Sequence, residues 1–333
     1  MSVLQLAKTR PRAAISTAIL AEARLCPNVS SALPEPALGL RRRNFPVRVT
    51  ALPIVALIVF AGVTIWSLRS GQLITQPGGD SQIQHLPSRV LAAQLYHTGH
   101  LPLWNSYESS GMPLAALAQP ASFYPFTLVF YGLLPPVLAF NLSLTTHFLL
   151  LAFFTRRYLQ SLALPDEGVT LGAVTFTFCG FMLIHSSAVP IFNAAIWIPA
   201  VFYWVEKWIQ TERWRYPAYG GICLAMSLLA GWAQLLALTS VYTALYGVLA
   251  WSAVRRRARF GAGFVVLFGI AALVVMPQVV LTLDFKPYTS LRYLDWKLFA
   301  YTSYPPQLLL LLLFLQVLIR TDPKKGEHAS CDN

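Results

Sequence analysis

Long apolar blocks alternate with short polar breaks along the chain. The first block is TALPIVALIVFAGVTIWSL (50–68), 19 residues without a charge. About 20 apolar residues cross the hydrocarbon of a bilayer. Further blocks run over 137–154, 168–187, 189–205, 218–231, 235–251, 260–281 and 305–319. These lengths predict helical spans. The stretch ASFYPFTLVFYGLLPP (121–136) is also apolar, but Pro125, Pro135 and Pro136 break it. Its aromatics suit the membrane interface, so it reads as an interfacial or re-entrant segment.

Basic residues orient the blocks. RRRNFPVR (41–48) precedes the first span, and TRRYLQ (155–160), EKWIQTERWR (206–215), RRRAR (255–259) and RTDPKK (320–325) follow later ones. Cytoplasmic flanks carry the excess of Lys and Arg. Eight spans with both termini inside put 20 of the 25 Lys and Arg on the cytoplasmic side, and none inside a span. The five outside are Arg69, Arg89, Lys286, Arg292 and Lys297. Making 121–136 a true span would put Arg156 and Arg157 outside and destroy this asymmetry.

The organisation expected is a cytoplasmic tail (1–49), a transmembrane domain (50–320) and a short cytoplasmic tail (321–333). Two extracytoplasmic loops stand out, a large first one (69–136) and the last (282–304). Residues 13–23 have the pattern of a short amphipathic helix, without a convincing signal-peptide core or cleavage site.

Composition agrees. Of 333 residues, 56% are hydrophobic and 11% charged, against about 25% charged in soluble domains. Mean hydropathy is +0.55. The net charge of +12 follows from basic residues at block ends, so membrane lipid, not nucleic acid, is the expected partner. The four cysteines (26, 179, 223, 331) have no metal-like spacing. Only His147 and His185 among ionisable groups fall inside the blocks, which argues against an ion-coupled carrier.

Polar chemistry therefore gathers in the two outer loops. In QPGGDSQIQHLPSR (76–89), Asp80 follows two glycines, and Gln84, His85 and Arg89 follow it. Asp80 could make an Asx-type turn or act as a base. Asn105 and Tyr107 lie further on, and Lys286 and Arg292 lie in the last loop. No compact ligand cluster indicates a metal or other cofactor.

Asp80-SQIQHLPSR, then TGHLPLWNSYESSGMPLAALAQPASFYP (98–125), then AIWIPA (195–200), resembles the YfhO-type bacterial membrane proteins, relatives of the GT-C glycosyltransferases. The specific part is Gly99, Leu101 to Asn105, Tyr107, Gly111 and Pro113. GWAQ (231–234) is a weaker echo, with Ala233 where the family has proline. The resemblance covers about residues 70–200. It implies an all-α, GT-C-like transmembrane bundle with a large first extracytoplasmic loop, in the bacterial inner membrane. It also implies transfer of a sugar from a polyprenyl-phosphate donor to an extracytoplasmic acceptor.

On that reading Asp80 is the catalytic base. Arg89, Lys286 and Arg292 are the candidate phosphate ligands, with Arg292 preferred for its planar fork. Gln84 and Asn105 are the further substrate-binding candidates. Family members are usually longer than this chain. The competing expectation is a non-catalytic membrane protein: a transport or lipid-binding subunit, or an inactive remnant. It predicts tolerance of changes at Asp80 and Arg292.

Overall fold

The computed structural model describes residues 48–75, 79–252, 254 and 256–289. The N-terminal tail, the block at 305–319, the C-terminal tail and Arg292 lie outside these residues. Among the described residues the chain is all-helical. Helix α1 is Arg48–Ser70, and α2 is Leu86–His97 with one π-helical turn, Ser81–His85, ahead of it. Helix α3 is Pro125–Leu133, α4 Pro136–Ser161, α5 Asp166–Thr177 and α6 Gly180–His185. Then come α7 Val189–Ala195, α8 Trp197–Thr211, α9 Arg215–Leu229, α10 Ala233–Ala250 and α11 Arg257–Phe285. Beyond Asp284 a second compact unit begins. Its described part holds a 3₁₀ turn, Lys286–Tyr288, closed by a bond from Thr289 Oγ1 to the Lys286 carbonyl.

Five helical stretches among the described residues are long and apolar enough to cross a membrane: 136–161, 166–185, 189–211, 233–250 and 257–288. This fits a multi-pass membrane protein. Helix α9 has 15 residues and falls short of that length. Of α1, the described apolar part is Ile58–Ser67.

Prolines set several ends, because a proline lacks the N–H that an interior helical position needs and is tolerated in the first turn. Pro125 and Pro136 open α3 and α4. Helix α3 is confined to nine residues, about 14 Å at 1.5 Å per residue, half the thickness of the hydrocarbon.

An aromatic core ties the bundle. Phe148 of α4 lies 4.5 Å from Phe192 of α7 and 5.2 Å from Phe60 of α1, ring centre to ring centre. Phe178, between α5 and α6, stacks on Phe148 at 6.0 Å.

Residues 71–75 and 79–124 contribute a layer docked on this core at several points. Asn141 of α4 donates to the Gln72 carbonyl (2.8 Å) and accepts from the Ile74 N–H (2.9 Å). Gln278 of α11 donates to the Ala115 carbonyl (2.9 Å), and Thr282 donates to that of Ala116 (2.8 Å). Gly231, between α9 and α10, supports the same layer. Its φ is +119°, and a Cβ there would come within 2.9 Å of Pro190 and 3.1 Å of the Ala118 carbonyl oxygen. Glycine is needed for both reasons. Anchors on α4, α11 and the α9–α10 turn hold the layer in one place, and this positions the candidate residues.

Candidate functional site

Asp80 begins the helical segment that runs to His97. Its backbone is helical (φ −52°, ψ −31°), and its side chain makes no capping bond. The turn is closed instead by the Gly79 carbonyl, which accepts from Gln82 N–H (2.9 Å) and Ile83 N–H (3.2 Å). Asp80 is exposed and forms no ion pair or hydrogen bond among the described residues. The Asx-type reading of this residue is therefore not the observed one.

A π-helical turn, Ser81–His85, carries the first of the inward-facing residues. It closes with a bond from the Leu86 N–H to the Ser81 carbonyl, one residue wider than an α-turn. Ser81, His85 and Arg89 then line a buried face, while Asp80, Ile83 and Gln84 stay exposed. The Ser81 hydroxyl donates to the Ser187 carbonyl, which holds the turn against the end of α6. Gln84 donates to Gln119 Oε1 at 3.3 Å. The structure thus groups Asp80 with Gln84 on one face, and His85 with Arg89 on the other.

Arg89 is 1% exposed, yet its Nε and Nη2 have no hydrogen-bond partner among the described residues. No carboxylate pairs with it: the described ion pairs join Glu212 to Arg256 and Arg259. The Tyr131 hydroxyl of α3 stands beside the guanidinium without the alignment of a good hydrogen bond. Burial raises the pKa of that hydroxyl, and the positive charge of Arg89 pulls the other way. His85, 5% exposed, has an unpartnered Nδ1. Its pKa is lowered to about 4, first by burial and then by Arg89, with Asp80 acting in the opposite sense. Such a histidine is neutral at pH 7.

A second buried cluster lies within electrostatic reach of Arg89. His147 Nδ1 meets the Ser143 carbonyl (2.6 Å), so that nitrogen carries the proton. Nε2 then accepts from the Tyr124 hydroxyl (2.8 Å), whose oxygen accepts from Trp197 Nε1 (3.1 Å). One consistent donor order satisfies the whole chain. Tyr124 belongs to the FYP run and Trp197 to AIWIPA, so two motifs 73 residues apart meet in one hydrogen bond.

Asn105 is buried within its own turn. It donates to Glu108 Oε2 (3.1 Å) and accepts from the Tyr107 N–H (3.0 Å), and its backbone pairs with Met112. Trp104 covers Gly111, where φ is +108° and a Cβ would lie 2.8 Å from the indole. The LPLWN-to-Gly111 spacing thus builds a closed turn, and both ends of the Asn105 amide are engaged inside it. Lys286 is exposed in the second unit's 3₁₀ turn, and Arg292 lies outside the described residues.

Sequence reasoning missed Tyr131 and Tyr124 as neighbours of the basic residue. The available signal was the four-residue spacing of His85 and Arg89 and that of Thr127 and Tyr131. It also treated Glu206 as a boundary residue. Glu206 is 5% exposed and accepts from the Tyr246 hydroxyl (2.6 Å) and Gln210 Nε2 (2.8 Å). Among the described residues, no group of three His, Cys, Asp or Glu could hold a metal ion. No family model, curated protein or solved structure matches the chain.

Proposed function

We propose that the chain is an integral-membrane glycosyltransferase, moving a sugar from a polyprenyl-phosphate donor to an extracytoplasmic acceptor. The observation that carries this is Asp80: an exposed carboxylate without structural duty, on a turn pinned by Ser81 and Gly79. The acceptor hydroxyl attacks the anomeric carbon as the bond from that carbon to the phosphate oxygen breaks. The hydroxyl proton passes to Asp80, and the lipid phosphate leaves. A positioned base contributes about 10²–10⁴-fold. Gln84, one turn on and equally exposed, offers an amide to sugar hydroxyls.

The topology proposed with it has eight spans and both termini in the cytoplasm, at the bacterial inner membrane. The shortness of α3 supports it, because nine residues do not reach across the hydrocarbon.

Asp80→Asn tests the reading. Transfer from a polyprenyl-phosphate sugar in membrane vesicles is expected to fall at least about 100-fold at equal expression. Undiminished transfer would remove Asp80 from the chemistry. Absence of transfer by the native chain with any such donor would favour the non-catalytic alternative.

A further inference from the structure

We infer that the turn from Leu101 to Tyr107 is a membrane-insertion surface, seated in the headgroup and acyl boundary of the bilayer at the far end of α11. The inference goes beyond the transferase reading, since it needs no sugar, no donor and no role for Asp80. It needs only that α11 crosses the bilayer, and not which side is cytoplasmic.

The turn is closed and carries little charge. Asn105 and Met112 exchange both backbone bonds (2.8 and 2.9 Å), and Ser109, Ser110 and Gly111 turn the chain at positive φ. Between Thr98 and Ala115, Glu108 is the one residue among Asp, Glu, Lys and Arg, and its Oε2 accepts from the Asn105 amide. This frame presents four large apolar side chains outward. Tyr107 is 89% exposed and Leu101 61%, and Leu103 and Trp104 are half exposed. In water such a cluster is unfavourable, and a surface of this kind marks an interaction site.

The stem of the turn fixes its depth. The Ala115 N–H donates to the Leu103 carbonyl (3.4 Å), and the Ala115 carbonyl accepts from Gln278 Nε2 of α11 (2.9 Å). Gln278 stands about 31 Å along α11 from Arg257, at 1.5 Å per residue, and the hydrocarbon is about 30 Å thick. Arg257 marks one boundary, and Asp284, the first acid after the apolar run, lies just past the other. Leu103 is therefore held where the second boundary begins. Helix α3 meets the same segment. Its Gly132 carbonyl accepts from His97 Nε2 (2.5 Å), four positions before Leu101, and it exposes Val129 and Leu133.

Side-chain chemistry selects the occupant. Trp and Tyr gather at membrane interfaces, where leucines beside them enter the acyl boundary. A glycan stacked on Trp104 and Tyr107 would leave Leu101 and Leu103 in water. A lipid surface covers all four.

The test places a bimane fluorophore on Tyr107→Cys, in the full chain with Cys26, Cys179, Cys223 and Cys331 replaced by alanine. The chain is reconstituted in phosphatidylcholine and phosphatidylglycerol vesicles that carry a nitroxide at the headgroup, high on the acyl chain, or at its end. Quenching is expected to be strongest from the nitroxide high on the chain, because interfacial segments sit about 5–10 Å into the headgroup and acyl boundary. Iodide in the buffer should quench the probe at least about threefold less than it quenches the same adduct on glutathione. If Tyr107→Cys does not accumulate, Leu101→Cys carries the probe. Leu101→Asp together with Leu103→Asp should weaken lipid quenching at position 107, and an unchanged value would overturn the inference. Full access to iodide without lipid quenching would also overturn it, as would strongest quenching from the chain-end nitroxide, which belongs to a span. Protection from iodide that appears only when a soluble oligosaccharide is added would overturn it in favour of a glycan platform. Asp80→Asn should leave the quenching intact, so failure of this surface and failure of the transferase reading are separable.

Discussion

His147 and Arg89 are buried to the same degree, at 0% and 1% exposure, in the same part of the fold. They differ in what surrounds their polar atoms. Both ring nitrogens of His147 are used, within a chain that runs from Trp197 through Tyr124 to Ser143. Two of the three guanidinium nitrogens of Arg89 are unused. The histidine joins the loop layer to α4 and α8. Nε and Nη2 of the arginine have no such partner among the described residues. Burial alone therefore separates neither group from solvent-facing chemistry. The count of satisfied atoms does, because a buried donor left without a bond is costly.

Three substitutions can break this comparison or sharpen it. The largest effect is expected at His147. Replacing it with alanine removes a partner from Tyr124 and leaves a cavity, so a loss of about 3 kcal/mol is expected in reversible unfolding. A loss under about 1 kcal/mol would mean that the chain of hydrogen bonds is not what holds the layer.

His85 gives the next effect, read through pH. Its folded pKa, about 4, lies below the ordinary 6.5. The unfolded chain therefore binds more protons between these values. The stabilising contribution is complete above pH 6.5 and is lost as pH falls towards 4, by at most about 3 kcal/mol. His85→Gln should flatten the unfolding midpoint between pH 7 and 4.5 relative to the native chain. Parallel pH profiles for the two would show that His85 does not titrate in this window.

Arg89→Met is the smallest in size and opposite in sign. Removing an uncompensated buried charge should be neutral or stabilising, by about 1 kcal/mol. A loss of 3 kcal/mol or more would show that Arg89 has a structural partner, and would place it with His147.

Much of the architecture was legible beforehand. The seven apolar blocks among the described residues all fall in helical stretches, two of them (168–187 and 189–205) each divided between two helices and one (218–231) in a helix too short to cross. The prolines around 121–136 limited α3, as expected from their missing N–H. Gly231 and Gly111 mark turns where the local sequence and the fold agree. The site was less legible. Asp80 and Arg89 stand nine positions apart in one polar loop, and their spacing alone does not say which turns inward. The fold decides that: Ser81, His85 and Arg89, each four residues apart, turn inward, and Asp80 and Gln84 stay exposed. Asn105, chosen for its motif, is engaged in its own turn. Tyr131 gained meaning only when α3 folded over α2.

By itself, the amino-acid sequence determined the helical class, the apolar lengths and the breaks between them. These depend on local hydrophobicity and on residues such as proline that act on their own backbone. The tertiary structure decided which polar atoms are satisfied. That depends on partners far along the chain, such as Trp197 for Tyr124 and α3 for Arg89. Hydrogen bonds are directional and short, so no pattern of residue types reveals whether one is made. The freedom of Asp80 and the isolation of Arg89 both arise at that level.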